Sequence, residues 1–273
     1  MALDNPLQHP FSRVTIENSP IGGTYVFWEL DTRFVDPLPY TYQLQYSENP
    51  TGPQDDWENI GTEMVDAFMA VDDDQRVFGM TIEGAYRILL TTSEGSYNSG
   101  PVVPEIGAAS WSAWRLGQDM VRAEMLRNNL YHDEKQNYLL KAKRFGPPCR
   151  CVNPLSSGAT SSRCQYCYGT GFDGGYFAPV AISMVIEHSE ASESVHGAAP
   201  ANTAKNEVAI GRFTGLPFPQ DRDVVVEAST GRRWKVHEAI GRSEIGTHVV
   251  SISRQLKLIN FSELDYTIPI TGV

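Results

Sequence analysis

The chain has 273 residues, with 22 lysines and arginines against 33 aspartates and glutamates, and hence a formal charge of −11 at pH 7. This length and a 41% apolar composition fit two or three domains and exclude a wholly disordered chain. The negative charge argues against non-specific binding to nucleic acid or anionic lipid. No apolar run approaches the ~20 residues of a spanning helix, and Met-Ala-Leu-Asp-Asn-Pro does not resemble a signal peptide. We therefore expect a soluble protein made in the cytosol.

The charge is unevenly distributed along the chain. Residues 1–105 carry −13, residues 108–145 carry +3 and residues 146–273 carry −1. The first boundary coincides with a stretch rich in proline and glycine, residues 98–107, which has no hydrophobic periodicity and is typical of a linker. The distribution predicts separate modules with different neighbours. The strand patterns described below predict a mainly β protein overall.

Residues 1–105 show the pattern of a small β-sandwich. Short β-branched and aromatic runs recur between turn signals, at 13–16, 23–30, 40–46, 64–71, 77–82 and 85–92. About six or seven short strands in ~90 residues are typical of that architecture. With Trp28 in an early strand and 86–92 in a late one, this segment resembles a fibronectin type III domain, which implies a binding or spacing module.

Acidic side chains in this module allow two interpretations. Asp55-Asp56 and Asp72-Asp73-Asp74 offer oxygen ligands for calcium, but their spacing specifies no fixed set of six to eight oxygens. The alternative is that they lie in solvated loops. No catalytic constellation accompanies them.

The hydrophobic period changes in residues 108–145, a predicted helical connector. An amphipathic helix is indicated by apolar residues at three- and four-residue steps: Trp111, Trp114, Leu116, Met120, Val121, Ala123, Met125, Leu126 and Leu130. Asp133 and Gln136 suggest the capping box of a second helix ending near Phe145. Lys141, Lys143 and Arg144 would then complement its dipole, or contact an acidic partner or DNA backbone.

The strongest motif is formed by the protein's four cysteines, which all lie in the segment 146–177. Cys149 and Cys151 form one close pair, and Cys164 and Cys167 form the other. Four thiolates in two close pairs make a complete tetrahedral set for one structural zinc, with no position open for catalysis. Disulfides, free thiols and redox chemistry are the alternatives.

The second cysteine pair has the more specific surroundings. Residues 164–171, Cys-Gln-Tyr-Cys-Tyr-Gly-Thr-Gly, are similar to one repeat of the cysteine-rich zinc region of J-domain co-chaperones. The first pair is Cys-x-Cys where that family has Cys-x-x-Cys. The resemblance therefore implies a zinc knuckle with glycine-permitted turns, and not a co-chaperone.

Residues 178–273 predict a second β-domain. Strands are expected at 180–188, 207–213, 223–228, 233–240, 247–259 and 264–268, which suggests a small antiparallel barrel. Residues 189–206 lack any hydrophobic period and predict a long functional loop. It contains His196 and follows His188, and we interpret both histidines as incidental.

Part of this domain resembles the barrel of head-completion proteins, the stopper or connector proteins in the neck of tailed bacteriophages. The similarity lies in 221–226, in 231–236 (Gly-Arg-Arg-Trp-Lys-Val), in 249–259 and in 265–269 (Asp-Tyr-Thr-Ile-Pro). It implies a virion protein, assembled in the host cytoplasm, that forms a ring of six or twelve copies. Such a ring contacts portal, neck or tail proteins, DNA passes through its lumen, and the loop 189–206 would match the role of a gate.

An enzyme is not expected, because the sequence has no nucleophile elbow, phosphate loop, paired acid motif or dinucleotide fingerprint. His237 and His248 lie in predicted strands without a neighbouring nucleophile or carboxylate pattern. The alternatives to a neck protein are a baseplate or tail-associated virion protein, and a non-viral zinc-containing adhesion or binding module.

Overall fold

The structure, a computed structural model, describes residues 10–19, 23–51, 56–73, 84–104, 111–131, 137–152, 164–188, 208–227, 229–245 and 248–270. Over these ranges it is mainly β, with thirteen strands and one α-helix. The chain divides into two units, Met1–Ala108 with Lys143–Phe177, and Ala109–Ala142 with Ala178–Val273. Within the described ranges, no helix combines the length and the apolar character needed to cross a membrane.

The N-terminal part of the first unit is a β-sandwich, as predicted. One antiparallel sheet has the order β1-β2-β5 and the other the order β4-β3-β6-β7. The strands are β1 (Phe11–Asn18), β2 (Thr24–Leu30), β3 (Thr41–Ser47), β4 (Glu58–Val65), β5 (Met69–Asp72), β6 (Ala85–Thr91) and β7 (Ser96–Asn98). The prediction of a single strand over 64–71 is wrong. Asp66 takes a positive φ of 51°, and the chain passes there from β4 in one sheet to β5 in the other. The strand expected at 77–82 lies outside the described residues.

Aromatic side chains join the two sheets of the sandwich. Trp28 on β2 and Tyr42 on β3 are both almost fully buried, and their rings lie 4.9 Å apart. Alternation places every second residue of β2 in the core, since its buried positions are 24, 26, 28 and 30. Burial of this aromatic surface stabilises the module.

The predicted helix is present as α1 (Trp111–Tyr131) in the second unit. Its buried face includes Trp114, Val121 and Asn128, each seven residues from the next. Three residues of the expected apolar stripe, Leu116, Met120 and Leu126, are instead exposed. The helix is amphipathic as predicted, but its buried stripe is narrower than the sequence indicates.

A closed antiparallel barrel forms the rest of the second unit, as predicted. Its strands follow in the order β10-β13-β12-β11-β8-β9. They are β8 (Asn137–Leu140), β9 (Val180–His188), β10 (Val208–Thr214), β11 (Val224–Val226), β12 (Arg233–Ile245) and β13 (His248–Leu258). The barrel interior holds Phe213, Trp234 and Leu256, and α1 packs against β9, β10, β12 and β13.

The second predicted helix, from Asp133 to Phe145, is wrong over its described part, because residues 137–140 form β8. This strand pairs with β11 on one side and β9 on the other, and thereby closes the barrel. Both of its leucines are fully buried. Tertiary pairing therefore overrides the local helical pattern. Asp133 and Gln136 lie outside the described residues.

Without that helix, the cationic side chains near 141–144 do not compensate a dipole. Lys141 instead forms an ion pair with Asp223, with 3.1 Å between Nζ and Oδ2. The Asp223 carboxylate is fully buried and also accepts hydrogen bonds from the backbone N–H groups of Ala142 and Gln220. Burial raises the pKa of Asp223, and the Lys141 charge opposes that rise.

The last predicted strand, 264–268, is also wrong, because Leu264–Thr267 is a 3-10 turn. Two cationic side chains of β12 bind this turn. The Arg233 guanidinium donates to the Ile268 carbonyl at 2.6 Å, and Lys235 Nζ lies 2.5 Å from Asp265 Oδ2. These side-chain contacts take the place of a strand ladder. The loop 189–206 lies outside the described residues.

Candidate metal centre

The cysteine segment, residues 143–177, connects the paired barrel strands β8 and β9 but belongs to the first unit. Its two cysteine pairs meet because the chain on either side of them is bridged. The Cys149 N–H donates to the Gly171 carbonyl at 2.8 Å, and Pro148 pairs with Phe172 in an isolated β-bridge. A short two-stranded contact therefore brings both halves of the motif to one place.

The four sulfurs form one cluster, in which every Sγ lies within 4.8 Å of the others. Cys149 and Cys164 are 3.7 Å apart at Sγ, and Cys151 and Cys167 are 3.4 Å apart. A tetrahedral site with Zn–S bonds of about 2.3 Å has edges of about 3.8 Å. All four thiols are free, since a disulfide would need a separation near 2.05 Å. The arrangement is compatible with a metal site.

The second cysteine pair lies in a tight turn that the glycine pattern predicts. Cys164 accepts at its carbonyl from the Tyr168 N–H, and Cys167 accepts from the Thr170 N–H. Gly169 and Gly171 take positive φ values of 78° and 88°, which glycine adopts without a Cβ penalty. These positions let the chain reverse direction twice within one short segment.

Backbone N–H groups point at one of the sulfurs. Those of Cys167 and Tyr166 lower the pKa of the Cys164 thiol to about 7. Burial raises the pKa of Cys149, and the hydrogen bond to Cys167 raises that of Cys151. A bound cation would favour the thiolate form of all four groups, because its charge compensates their mutual repulsion.

Burial of the cluster is asymmetric. Cys149 and Cys167 are buried, whereas Cys151 and Cys164 are half-buried. The residues between the ligands face outwards: Arg150 and Gln165 are exposed, and Tyr166 is 77% exposed. The cluster therefore has one face against the protein and one face towards its surroundings.

The cysteine segment is anchored to the sandwich by residues that the sequence did not single out together. Lys143 Nζ lies 2.6 Å from Asp66 Oδ2 and also donates to the Asp173 carbonyl. The ring of Phe177 lies between those of Phe68 and Phe145, at centroid distances of 5.2 and 5.4 Å. These contacts join residues far apart in sequence, so no local pattern could reveal them.

Close packing continues from this anchor to the cysteines. Gly175 accepts at its carbonyl from the Lys143 N–H, and a Cβ at Gly175 would lie 2.7 Å from the Cys167 carbonyl oxygen. Gly175 also has a positive φ of 68°. The Gly174-Gly175 pair was the available signal in the sequence, because two adjacent glycines mark a turn or a close approach.

The other candidate residues are not brought to this cluster. Asp72 is buried in β5 and accepts a hydrogen bond from the Tyr86 hydroxyl at 2.8 Å, so it does not lie in a solvated loop. Asp73 and Asp56 are exposed. His237 is partly buried on β12, and its Nε2 has no hydrogen-bond partner among the described residues.

The fold and the cluster together define a mainly β protein with a sandwich, a barrel and a four-cysteine group compatible with a metal ion. Comparison with protein-family models gives no match, and comparison with curated proteins gives none either.

Proposed function

We propose that Cys149, Cys151, Cys164 and Cys167 bind one structural zinc ion. Four thiolates in a tetrahedral arrangement favour zinc among the divalent metals, and they leave no position for a substrate. The sulfur separations of 3.4 and 3.7 Å support this set of ligands. The metal would order the proline- and glycine-rich chain around it, which has few apolar residues of its own.

Metal analysis of the purified chain tests this assignment. We expect about one zinc per chain by inductively coupled plasma mass spectrometry, and loss of stability on treatment with a strong chelator. A metal-free preparation with the same thermal unfolding curve would contradict it. Iron or another metal at full occupancy would support the metal site but contradict the assignment of zinc.

We propose further that the chain is a structural, non-enzymatic virion protein of a tailed bacteriophage, which forms a ring in the neck between portal and tail. The observation that carries this proposal is a contact between two of the segments that resemble head-completion proteins, 231–236 and 265–269. Arg233 and Lys235, from 231–236, bind Ile268 and Asp265, from 265–269. The two pieces thus act as one structural element on the closed barrel.

The charge of the second unit supports a passive role towards DNA. Residues 109–142 and 178–273 together hold 14 basic and 15 acidic side chains, so this unit is nearly neutral. A strongly basic surface would retain DNA, and a strongly acidic one would repel it. We propose that α1 and the barrel form the contacts of a ring of six or twelve copies, and that DNA passes through its lumen.

Two measurements test the neck assignment. Mass photometry of the purified chain, alone and with its portal or tail partner, should give closed assemblies of six or twelve copies. A chain that stays monomeric in both conditions would contradict the proposal. An electron-microscopy map of the virion distinguishes the neck from the baseplate. A position in the baseplate would contradict the neck assignment but would still identify a virion protein.

A further inference from the structure

The exposed face of the cysteine cluster, formed by Arg150, Gln165 and Tyr166, has no role in holding a metal. Tyr166 is 77% exposed, although it lies between two metal-ligand candidates in a tightly bonded turn. Tyrosine and arginine are the side chains that most often anchor protein interfaces, because they combine large contact area with directed polar groups. Arg150 and Tyr166 lie in two hydrogen-bonded turns, closed by Val152 N–H to the Cys149 carbonyl and Tyr168 N–H to the Cys164 carbonyl, which limits the backbone entropy lost on binding. We call Arg150, Gln165 and Tyr166 the knuckle face.

The cysteine segment and the sandwich carry net charges of opposite sign. Residues 143–177 hold four basic side chains and one acidic one, whereas residues 1–105 hold four basic and 17 acidic. Lys143 forms an ion pair with Asp66, whereas Arg150 is exposed on the knuckle face. A single chain therefore carries both an exposed cationic side chain beside Tyr166 and a strongly acidic module that complements it.

A group of carboxylates lies at one end of the four-stranded sheet. Tyr46 is paired with Glu58 at this end of β3 and β4. Glu48, Asp56 and Glu58 are all exposed there, and Asn49 donates to Asp56 at 3.4 Å across the connecting loop. We call these three acidic residues the carboxylate face.

The cysteine segment is anchored at the opposite end of the same sheet. Thr41 pairs with Val65, next to Asp66 and its partner Lys143. The five residue steps of β3 from Thr41 to Tyr46 separate the two ends by about 17 Å. The anchor of the cysteine segment and the carboxylate face thus lie at opposite ends of one sheet.

We propose that the knuckle face of one copy docks on the carboxylate face of a second copy. Two different surfaces that complement each other give a heterologous, head-to-tail contact, which closes into a ring when the rotation between copies permits. Tyr166 packs at the centre of this contact, and Arg150 pairs with the carboxylates. The inference rests on the proposed ring. It adds a second set of contacts between copies to those proposed for α1 and the barrel.

Charge reversal in the full-length, zinc-loaded chain tests the contact by sedimentation velocity. We expect Tyr166→Ala, Arg150→Glu and the double variant Glu48→Arg/Asp56→Arg each to weaken self-association by about tenfold or more. Combining Arg150→Glu with Glu48→Arg/Asp56→Arg should restore much of it. Glu94→Arg is the matched control, because Glu94 is exposed on the same unit outside both faces, and it should leave association unchanged. Circular dichroism verifies that each variant retains its fold, and zinc content verifies that its cysteine cluster is intact.

The outcomes separate this contact from the ring itself. If the wild type assembles and all the face variants assemble equally well, the docking contact is wrong and the ring proposal stands. If the wild type remains monomeric at every concentration, both are overturned. A single-stranded oligonucleotide serves as the competing probe: if Tyr166→Ala weakens its binding but leaves assembly intact, the knuckle face binds nucleic acid and not a second copy.

Discussion

The cysteine segment lies between two barrel strands along the chain, yet it and the barrel are held by different interactions. The barrel buries a continuous apolar cluster that includes Met184, Phe213 and Trp234. Over its described residues, the cysteine segment is held by four clustered sulfurs, the Lys143–Asp66 ion pair and the ring contacts of Phe177. The comparison teaches that a connection between two barrel strands can become part of another unit when a four-cysteine cluster and a few anchors hold it there.

The largest expected effect comes from removing one sulfur. Cys167→Ser should reduce zinc from about one per chain to nearly none and cost several kcal/mol in the first unit, because Cys167 is fully buried. Hydrogen exchange should rise at least about tenfold in 143–177 and stay unchanged in the barrel strands. Gln165→Ala, an exposed residue beside the ligands, is the control and should retain the metal. Equal loosening of the barrel would show that the two regions are not independent.

The pH dependence of metal affinity tests whether the cysteine thiolates are the metal ligands. Cys149 and Cys151 have raised pKa values, so both are protonated at neutral pH without metal, and binding must displace at least two protons. The affinity for zinc should therefore weaken as the pH falls, by at least about a hundredfold for each pH unit. Chelator competition at pH 6, 7 and 8 measures this slope. A pH-independent affinity would mean that these thiols are not the ligands.

The next effect belongs to the barrel. Asp223→Ala should cost about 3–5 kcal/mol, because it leaves the Lys141 charge and the Ala142 and Gln220 N–H groups without their buried acceptor. Exchange should increase in β8 and β11, while zinc content stays the same. Glu238→Ala removes an exposed carboxylate of β12 and should change stability by less than about 0.5 kcal/mol. Loss of zinc in Asp223→Ala would contradict the separation of the two regions.

Local sequence patterns were sufficient for most of the fold. Alternation in the sandwich, the helical period of α1 and the strands around Trp234 all predicted elements that the structure contains. The two close cysteine pairs likewise predicted a cluster whose sulfurs are brought together. In each case the information lies within a few residues of the chain, where periodicity and spacing express it.

Two of the wrong predictions, the helix at 133–145 and the strand at 264–268, have a common cause. Residues 137–140 form β8 because they pair with β9 and β11. Residues 264–267 form a turn because the side chains of Arg233 and Lys235 bind it. The Lys143–Asp66 anchor joins residues 77 positions apart. Such long-range contacts leave no local periodicity, so sequence patterns could not predict them.

The smallest effect tests the anchor by one substitution made at two places. In Lys143→Met, the remaining Asp66 side chain is 40% exposed, so water compensates its charge and the cost should be about 1 kcal/mol. In Lys141→Met, the remaining Asp223 carboxylate has no exposure, so the cost should be several times larger and confined to the barrel. Denaturant unfolding with segment-resolved hydrogen exchange measures both, and zinc content should be unchanged in each. Equal losses of stability would mean that the solvent exposure of the remaining carboxylate does not set the cost. The proposed contrast between the partly exposed Lys143–Asp66 pair and the buried Lys141–Asp223 pair would then be wrong.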